Sequence, residues 1–171
     1  MKFLLSFLLI ALFSGCSTRG KGIYKETPSL LQKTDIKQEK VFTLKNSNAI
    51  SLALYEEYEK WKTTPYLYGG VDKNGVDCSS FVQSMYYNAL GVYVPRTTSL
   101  QEKYGRFIKK RELREGDLII FNTAFSSKHS AIYIERGNFM HASSKYGVSI
   151  SNINNPYWKQ HYSQSRRVLN Y

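Results

Sequence analysis

The sequence predicts an α+β domain in which N-terminal helices pack on an antiparallel β-sheet of about five strands. Two observations carry this. From Cys78 onward, Phe81, Val82, Met85, Tyr86, Ala89 and Leu90 recur at the spacing of one helical stripe. The second half of the chain instead holds strand-length apolar runs between turn residues, beginning with Leu118-Ile119-Ile120-Phe121. Helices first and a meander of strands afterwards is the pattern of segregated α+β layers.

The first residues are read apart from the fold. Lys2 is followed by an apolar run from Phe3 to Phe13 and then by Ser14-Gly15-Cys16. That is a positive start, a short apolar stretch and small residues, too short to span a bilayer as a helix. A cysteine directly after Ser14-Gly15 resembles a bacterial lipobox. Residues 1–15 are therefore expected to be a lipoprotein signal peptide and Cys16 the lipidated first residue of the mature chain. Residues 16–47 are polar and lysine-rich, which predicts a flexible, lipid-anchored tether. Between residues 17 and 47 there are seven basic and three acidic side chains, a balance that favours anionic surfaces. The residue after Cys16 is Ser17 rather than aspartate. By the same lipoprotein resemblance, this implies a cell-envelope protein anchored in the outer membrane and facing the periplasm.

The folded domain is expected over residues 48–171. Ile50, Leu54, Tyr55, Tyr58 and Trp61 share a helical face, with Ser47 or Asn48 as N-cap and Thr63-Thr64-Pro65 as the stop. The helix that opens at Cys78 is capped by Asp77 and closed by Gly91. Thr98 and Gln101 have the spacing of a capping box for a short helix stopping at Gly105. Strands are expected at residues 118–121, 130–134, 139–143, 148–153 and 166–170.

The formal charge is +11, or +10 once Lys2 leaves with the signal peptide. A basic balance suits anionic partners. Nucleic acid is excluded, because no recognition helix, zinc-finger spacing or ribonucleoprotein motif is present. There are two cysteines. If Cys16 carries lipid, Cys78 has no partner and is a free thiol in an oxidising compartment, which points to a chemical task. Its place in the first turn of a helix, beside unpaired backbone N–H groups and the positive dipole end, predicts a stabilised thiolate.

A cysteine nucleophile needs a base, and the base an orienting group. A two-residue turn at Arg136-Gly137 would put His129 and His141 on opposite sheet faces. A three-residue loop, Glu135-Arg136-Gly137, pairs His141 with Ala131 and places both rings on one face, with Gly137 in the left-handed position of a G1 bulge. Two such histidines with Cys78 could also hold zinc, but the spacing fits no compact zinc motif. His161 lies in a polar stretch and is read as an ordinary surface residue.

At this point six segments together resemble the NlpC family of bacterial cell-wall cysteine peptidases. Asp77-Cys78-Ser79-Ser80-Phe81-Val82 is similar to its Asp-Cys-Ser-Gly-Phe-Val motif, and Pro65-Tyr66-Leu67-Tyr68-Gly69-Gly70 to its Pro-Tyr-x-x-Gly-Gly approach. Val94-Pro95-Arg96-Thr97-Thr98, Arg114 to Leu118, His129 to Ile134 and Phe139 to Ser143 match its later segments in order. With the lipobox and the short domain, the chain looks most like the Spr-type murein endopeptidase lipoproteins of that family.

The resemblance implies a circularly permuted papain-like fold. It makes Cys78 the nucleophile, His129 the general base and His141 the residue that orients His129. Tyr66 and the Cys78 backbone N–H would face the oxyanion, with Ser79 a further candidate and Arg96 a candidate for a substrate carboxylate. The implied reaction is hydrolysis of an amide bond in peptidoglycan stem peptides or cross-links, D-alanine–diaminopimelate or D-glutamate–diaminopimelate. No metal or cofactor is expected, and the expected state is a monomer. An acyltransferase on the same fold and a silent wall-binding protein are the rival readings. Two departures stand out. Ser80 replaces a glycine, where its side chain could narrow the cleft, and Ser130-Ala131 replace Val-Gly.

Overall fold

The structure is a computed structural model and describes residues 47–123 and 127–170. The expected signal peptide, Cys16 and the tether as far as residue 46 lie outside the described residues.

Helix α1 (Ser47–Glu59) buries Ile50 and Leu54, and tight turns after it carry Trp61 into the same core before Pro65. The Glu57 carboxylate accepts from the Trp61 indole at 2.9 Å and from Asn88 of the next helix at 3.0 Å, tying the two helices together. A two-strand hairpin, β1 (Val71–Asp72) and β2 (Gly75–Val76), then delivers the chain to α2 (Cys78–Leu90). The apolar stripe expected of α2 is its buried face. Asp77 is the N-cap, and Gly91 takes the left-handed conformation (φ 69°) that a C-terminal cap requires. Helix α3 (Thr98–Gln101) forms in the expected segment but starts at Thr98 itself and ends at Gln101, short of Gly105, and its capping box does not form. Thr98 is the first helical residue rather than the cap. The Gln101 amide turns inward instead, donating to the Ser79 and Pro95 carbonyls at 2.9 and 2.7 Å.

Among the described residues the main sheet has six antiparallel strands, one more than expected. They are β3 (Arg106–Ile108), β4 (Leu118–Thr123), β5 (Ser127–Tyr133), β6 (Asn138–Ser143), β7 (Gly147–Asn152) and β8 (Tyr162–Arg167). Their spatial order is β3-β8-β4-β5-β6-β7. The three-residue β3 is too short to show a period. Strand β8 begins four residues before the expected position, because Tyr162-Ser163-Gln164-Ser165 lack the apolar alternation that marks a strand.

Both sheet faces are covered. Leu118, Ile120, Ile132 and Met140 pack against α1 and α2. Ile119, Phe121, Ala131 and Phe139 pack on the other side, against Trp158 and Tyr162. Burial from both sides explains why β4 reads as an unbroken apolar run rather than an alternating one. Trp158 comes from α4 (Pro156–His161), a helix missed in the polar C-terminal stretch although Asn155-Pro156 is a cap followed by a first-turn proline.

At the buried end of the sheet, Arg167 donates to both carboxylate oxygens of Asp117, at 3.0 and 2.8 Å. Burial nevertheless holds the Asp117 carboxyl above its ordinary range, so the pair fixes position rather than adding net stability. Removal of one partner is what costs. Arg167→Met is expected to lower the unfolding free energy by roughly 3–5 kcal/mol, seen as a lower urea midpoint at an unchanged slope.

Candidate active site

The nucleophile end of the site is built around the Asp77 carboxylate. It accepts from the Ser80 backbone N–H at 2.7 Å and the Ser79 hydroxyl at 3.0 Å, which caps α2. Arg96 grips it with both terminal nitrogens, at 3.0 and 2.7 Å, and donates further to Ser79 Oγ and the Gly69 carbonyl. Burial alone would raise this carboxyl; the hydrogen bonds from Arg96, Ser80 and Ser79 prevail and hold it below its ordinary range. Arg96 is therefore a strut of the helix cap, with its terminal nitrogens committed, rather than a free carboxylate receptor. Ser79 donates its hydroxyl proton to Asp77, which removes it as an oxyanion donor. The Ser80 hydroxyl bonds the Gly70 carbonyl and accepts from the Asp77 backbone N–H. It is buried in the cap and does not narrow the cleft.

Cys78 is a free thiol, buried at the start of α2. Burial pushes it up, and the Asp77 charge adds to that. The Ser130 backbone N–H, the Thr98 hydroxyl and the Ser79 backbone N–H oppose the rise without cancelling it. The helix terminus alone thus does not produce a resting thiolate, contrary to the expectation from its position. Desolvation outweighs it, and the sulfur keeps its proton.

Strands β5 and β6 pair Ile132 with Met140 and Tyr133 with Phe139. Continuing that register sets Ala131 opposite His141 and leaves His129 on the same face, as a three-residue loop requires. The turn itself differs from a simple G1 bulge, since both Arg136 (φ 50°) and Gly137 (φ 84°) are left-handed. The Asn138 N–H closes the turn on Glu135, while Ile134 donates to the Asn138 carbonyl. That extra residue restores the register.

The two imidazoles meet edge to face, His129 Nε2 lying 2.9 Å from His141 Nδ1. His141 Nε2 lies 2.9 Å from Ser151 Oγ on β7. Trp158 packs over both rings, with centroids 5.5 Å from His129 and 5.0 Å from His141. Desolvation pushes His129 down to about 4, and desolvation with the neighbouring ring pushes His141 well below its ordinary value. Both are neutral at pH 7. A proton on His129 Nε2 and another on His141 Nε2 satisfy the whole row towards Ser151, leaving His129 Nδ1 as an acceptor. Ser151 and Trp158 were missed by sequence reasoning. Ser151 left no signal beyond its place on the neighbouring strand, whereas the helix start at Asn155-Pro156 could have drawn attention to Trp158.

Cys78, His129, Tyr66, Arg96 and Thr98 line one open groove of about 800 Å³. Tyr66 and Ser144 also border an adjoining basin of about 410 Å³ that runs towards Lys62 and Lys145. Burial and the nearby Cys78 and Asp77 hold the Tyr66 phenol above its ordinary value, so it keeps its proton as a donor. His161 sits on α4 against Tyr157, away from the groove lining. Among the described residues, no three His, Cys, Asp or Glu side chains cluster as metal ligands do.

Neutral histidines leave a signature in stability. The unfolded chain takes up protons near the ordinary value of 6.5, which the folded His129 refuses until about 4. The linked stability is fully present above pH 6.5 and is lost as pH falls from there to about 4. Imidazole NMR titration should find His129 uncharged at pH 5.5; a midpoint near 6.5 would contradict the buried-pair electrostatics.

The profile of the NlpC/P60 family matches residues 63–167. The murein DD-endopeptidase MepS/murein LD-carboxypeptidase of Escherichia coli strain K12 is 36% identical over 163 residues, covering 92% of this chain and 87% of that protein. The probable endopeptidase NlpC of the same strain is 33% identical, covering 98% and 100%. A crystal structure of an NlpC/P60 family protein from Bacillus cereus ATCC 10987 superposes with a TM-score of 0.63 at 31% identity. It covers 70% of this chain, which spans 40% of that longer protein. Helices set against an antiparallel sheet are thus the papain-like fold of these neighbours, and the chain belongs to the NlpC/P60 family.

Proposed function

We propose that the domain is a cysteine peptidase that hydrolyses an amide bond in the peptide part of peptidoglycan. The observation that carries this is the oriented row from Ser151 through His141 to His129, ending in the groove that also holds Cys78. The names of the relatives, a murein DD-endopeptidase and a peptidoglycan DL-endopeptidase among them, supply the substrate class.

In this reading the resting pair is a neutral thiol and a neutral imidazole. His129 Nδ1 takes the Cys78 proton as the sulfur attacks the carbonyl carbon and a C–S bond forms. The Tyr66 hydroxyl and the Cys78 backbone N–H face the developing oxyanion. Collapse breaks the C–N bond, and the proton on His129 leaves with the amine. Water then attacks the acyl-enzyme, giving a proton to His129, and the C–S bond breaks with that proton returned to sulfur. His141, fixed by Ser151, keeps the His129 ring turned so that Nδ1 faces the groove.

The bond we assign is the D-alanine–diaminopimelate cross-link. The support is the DD-endopeptidase name of a relative 36% identical along nearly the full chain. Purified peptidoglycan digested with residues 17–171 should lose cross-linked dimers and gain monomers by mass, whereas Cys78→Ala leaves the dimers intact. Release of disaccharide-dipeptides, a cut that also dissolves dimers, would move the bond to D-glutamate–diaminopimelate. Identical products from both proteins would sink the hydrolase reading.

Location belongs to the same proposal. Lys2, the apolar run and Ser14-Gly15-Cys16 support lipidation at Cys16, with the tether carrying a monomeric domain from the outer membrane into the periplasm. Cys16→Ser should release the protein from the membrane fraction and abolish incorporation of labelled fatty acid. Unchanged fractionation and labelling would remove the anchor.

A further inference from the structure

Three elements converge on the Cys78 sulfur. It lies at the N-terminus of α2, 3.7 Å from Thr98 Oγ1 at the start of α3. Thr98 Oγ1 in turn accepts from Ser130 Oγ on β5 at 3.1 Å. With Ser130 donating to one lone pair of Thr98 Oγ1, the proton of Thr98 is free to point at the sulfur, the direction that a sulfur gaining negative charge requires. The Ser130 backbone N–H approaches the same sulfur. Ser130 is fully buried, and alternation along β5 turns it to the helical side while its neighbour His129 faces the other. Valine, which Ser130 replaces in the motif the sequence resembles, carries no hydroxyl and could not make the second link.

We propose that Ser130 and Thr98 form a hydroxyl relay that donates to the Cys78 sulfur and steadies it as negative charge develops. Thr98 acts on the nucleophile itself, and Ser130 is a positioning residue that acts through Thr98. A hydrogen bond to an anion strengthens as charge grows, so the relay favours the thiolate over the thiol. The charged and titratable groups around the sulfur are few. Asp77 raises it from the cap and is itself neutralised by Arg96. Tyr66 faces it with a protonated phenol, His129 is neutral, and Lys128 is paired with Glu102. The Thr98 hydroxyl, backed by Ser130 Oγ, and the backbone N–H groups of Ser130 and Ser79 are then what oppose desolvation.

The proposal rests on Cys78 being the nucleophile, but its test needs no peptidoglycan. In residues 17–171 Cys78 is the sole cysteine, so the rate of iodoacetamide alkylation against pH reads its ionisation directly. Thr98→Val should move the midpoint up by about one pH unit, the size expected for a hydrogen bond to a charged group. Thr98→Ser should restore it. Ser130→Ala should move it up by roughly half as much, and the double variant should match Thr98→Val, because Ser130 acts through Thr98. Peptidoglycan turnover near neutral pH should fall only about threefold in Thr98→Val, since a more basic sulfur is also more nucleophilic. Unchanged midpoints would overturn the relay, and so would a Ser130→Ala shift that persists undiminished in the Thr98→Val background. Ser130→Ala removes a single oxygen and keeps the test decisive if Thr98→Val fails to fold. A wild-type protein that leaves peptidoglycan intact would count against the proposed function while leaving the alkylation midpoints to judge the relay.

Discussion

The Asp77 carboxylate is the constraint on which the nucleophile end of the molecule depends. A helix that begins at Cys78 leaves its first backbone N–H groups without intrahelical partners, and in a half-buried cleft those donors cannot rely on water. Asp77 answers one of them directly and gathers Ser79, Ser80 and Arg96 around itself. Through Arg96 and Ser80 it also reaches the Gly69-Gly70 carbonyls, so the Tyr66-bearing approach and the nucleophile helix are set by one charge. Ser80, a departure from the family's glycine, adds a hydroxyl to this knot rather than to the cleft.

The base end is fixed by different means. His129 and His141 owe their meeting to strand parity, and parity is decided by the turn at residues 135–137. Beyond that, Trp158 and the two phenylalanines Phe121 and Phe139 form an aromatic wall around the rings. The wall removes water, and with it the stability of the imidazolium. His141 is fully buried and His129 is backed by the wall on the side away from the groove, which disfavours charge on both rings, and Ser151 supplies the polar end that the buried ring needs.

Much of this was legible in the sequence, for identifiable reasons. The 3.6-residue period of α2, its aspartate and glycine ends, and the parity argument for the hairpin all rest on local rules, and the structure follows them. What escaped was set by tertiary packing. Strand β3 is too short for a period, and β8 alternates among polar residues because its neighbours supply the burial. Gln101 gave up a capping role to serve two buried carbonyls. Arg96 and Ser79 are of a type that binds substrates, but the sequence does not say that Asp77 takes their donors first. Even the thiol, sited where a helix dipole favours an anion, is governed by how deeply the fold buries it.

That burial also decides how the protein keeps its sulfur between turnovers. Peroxides and disulfides react with thiolates, not with thiols. A sulfur that holds its proton at rest, and yields it only when a neutral imidazole and an electrophilic carbonyl are both at hand, is chemically quiet towards stray oxidants. Desolvation, which at first sight opposes catalysis, thereby protects the nucleophile from oxidation whenever no substrate fills the groove.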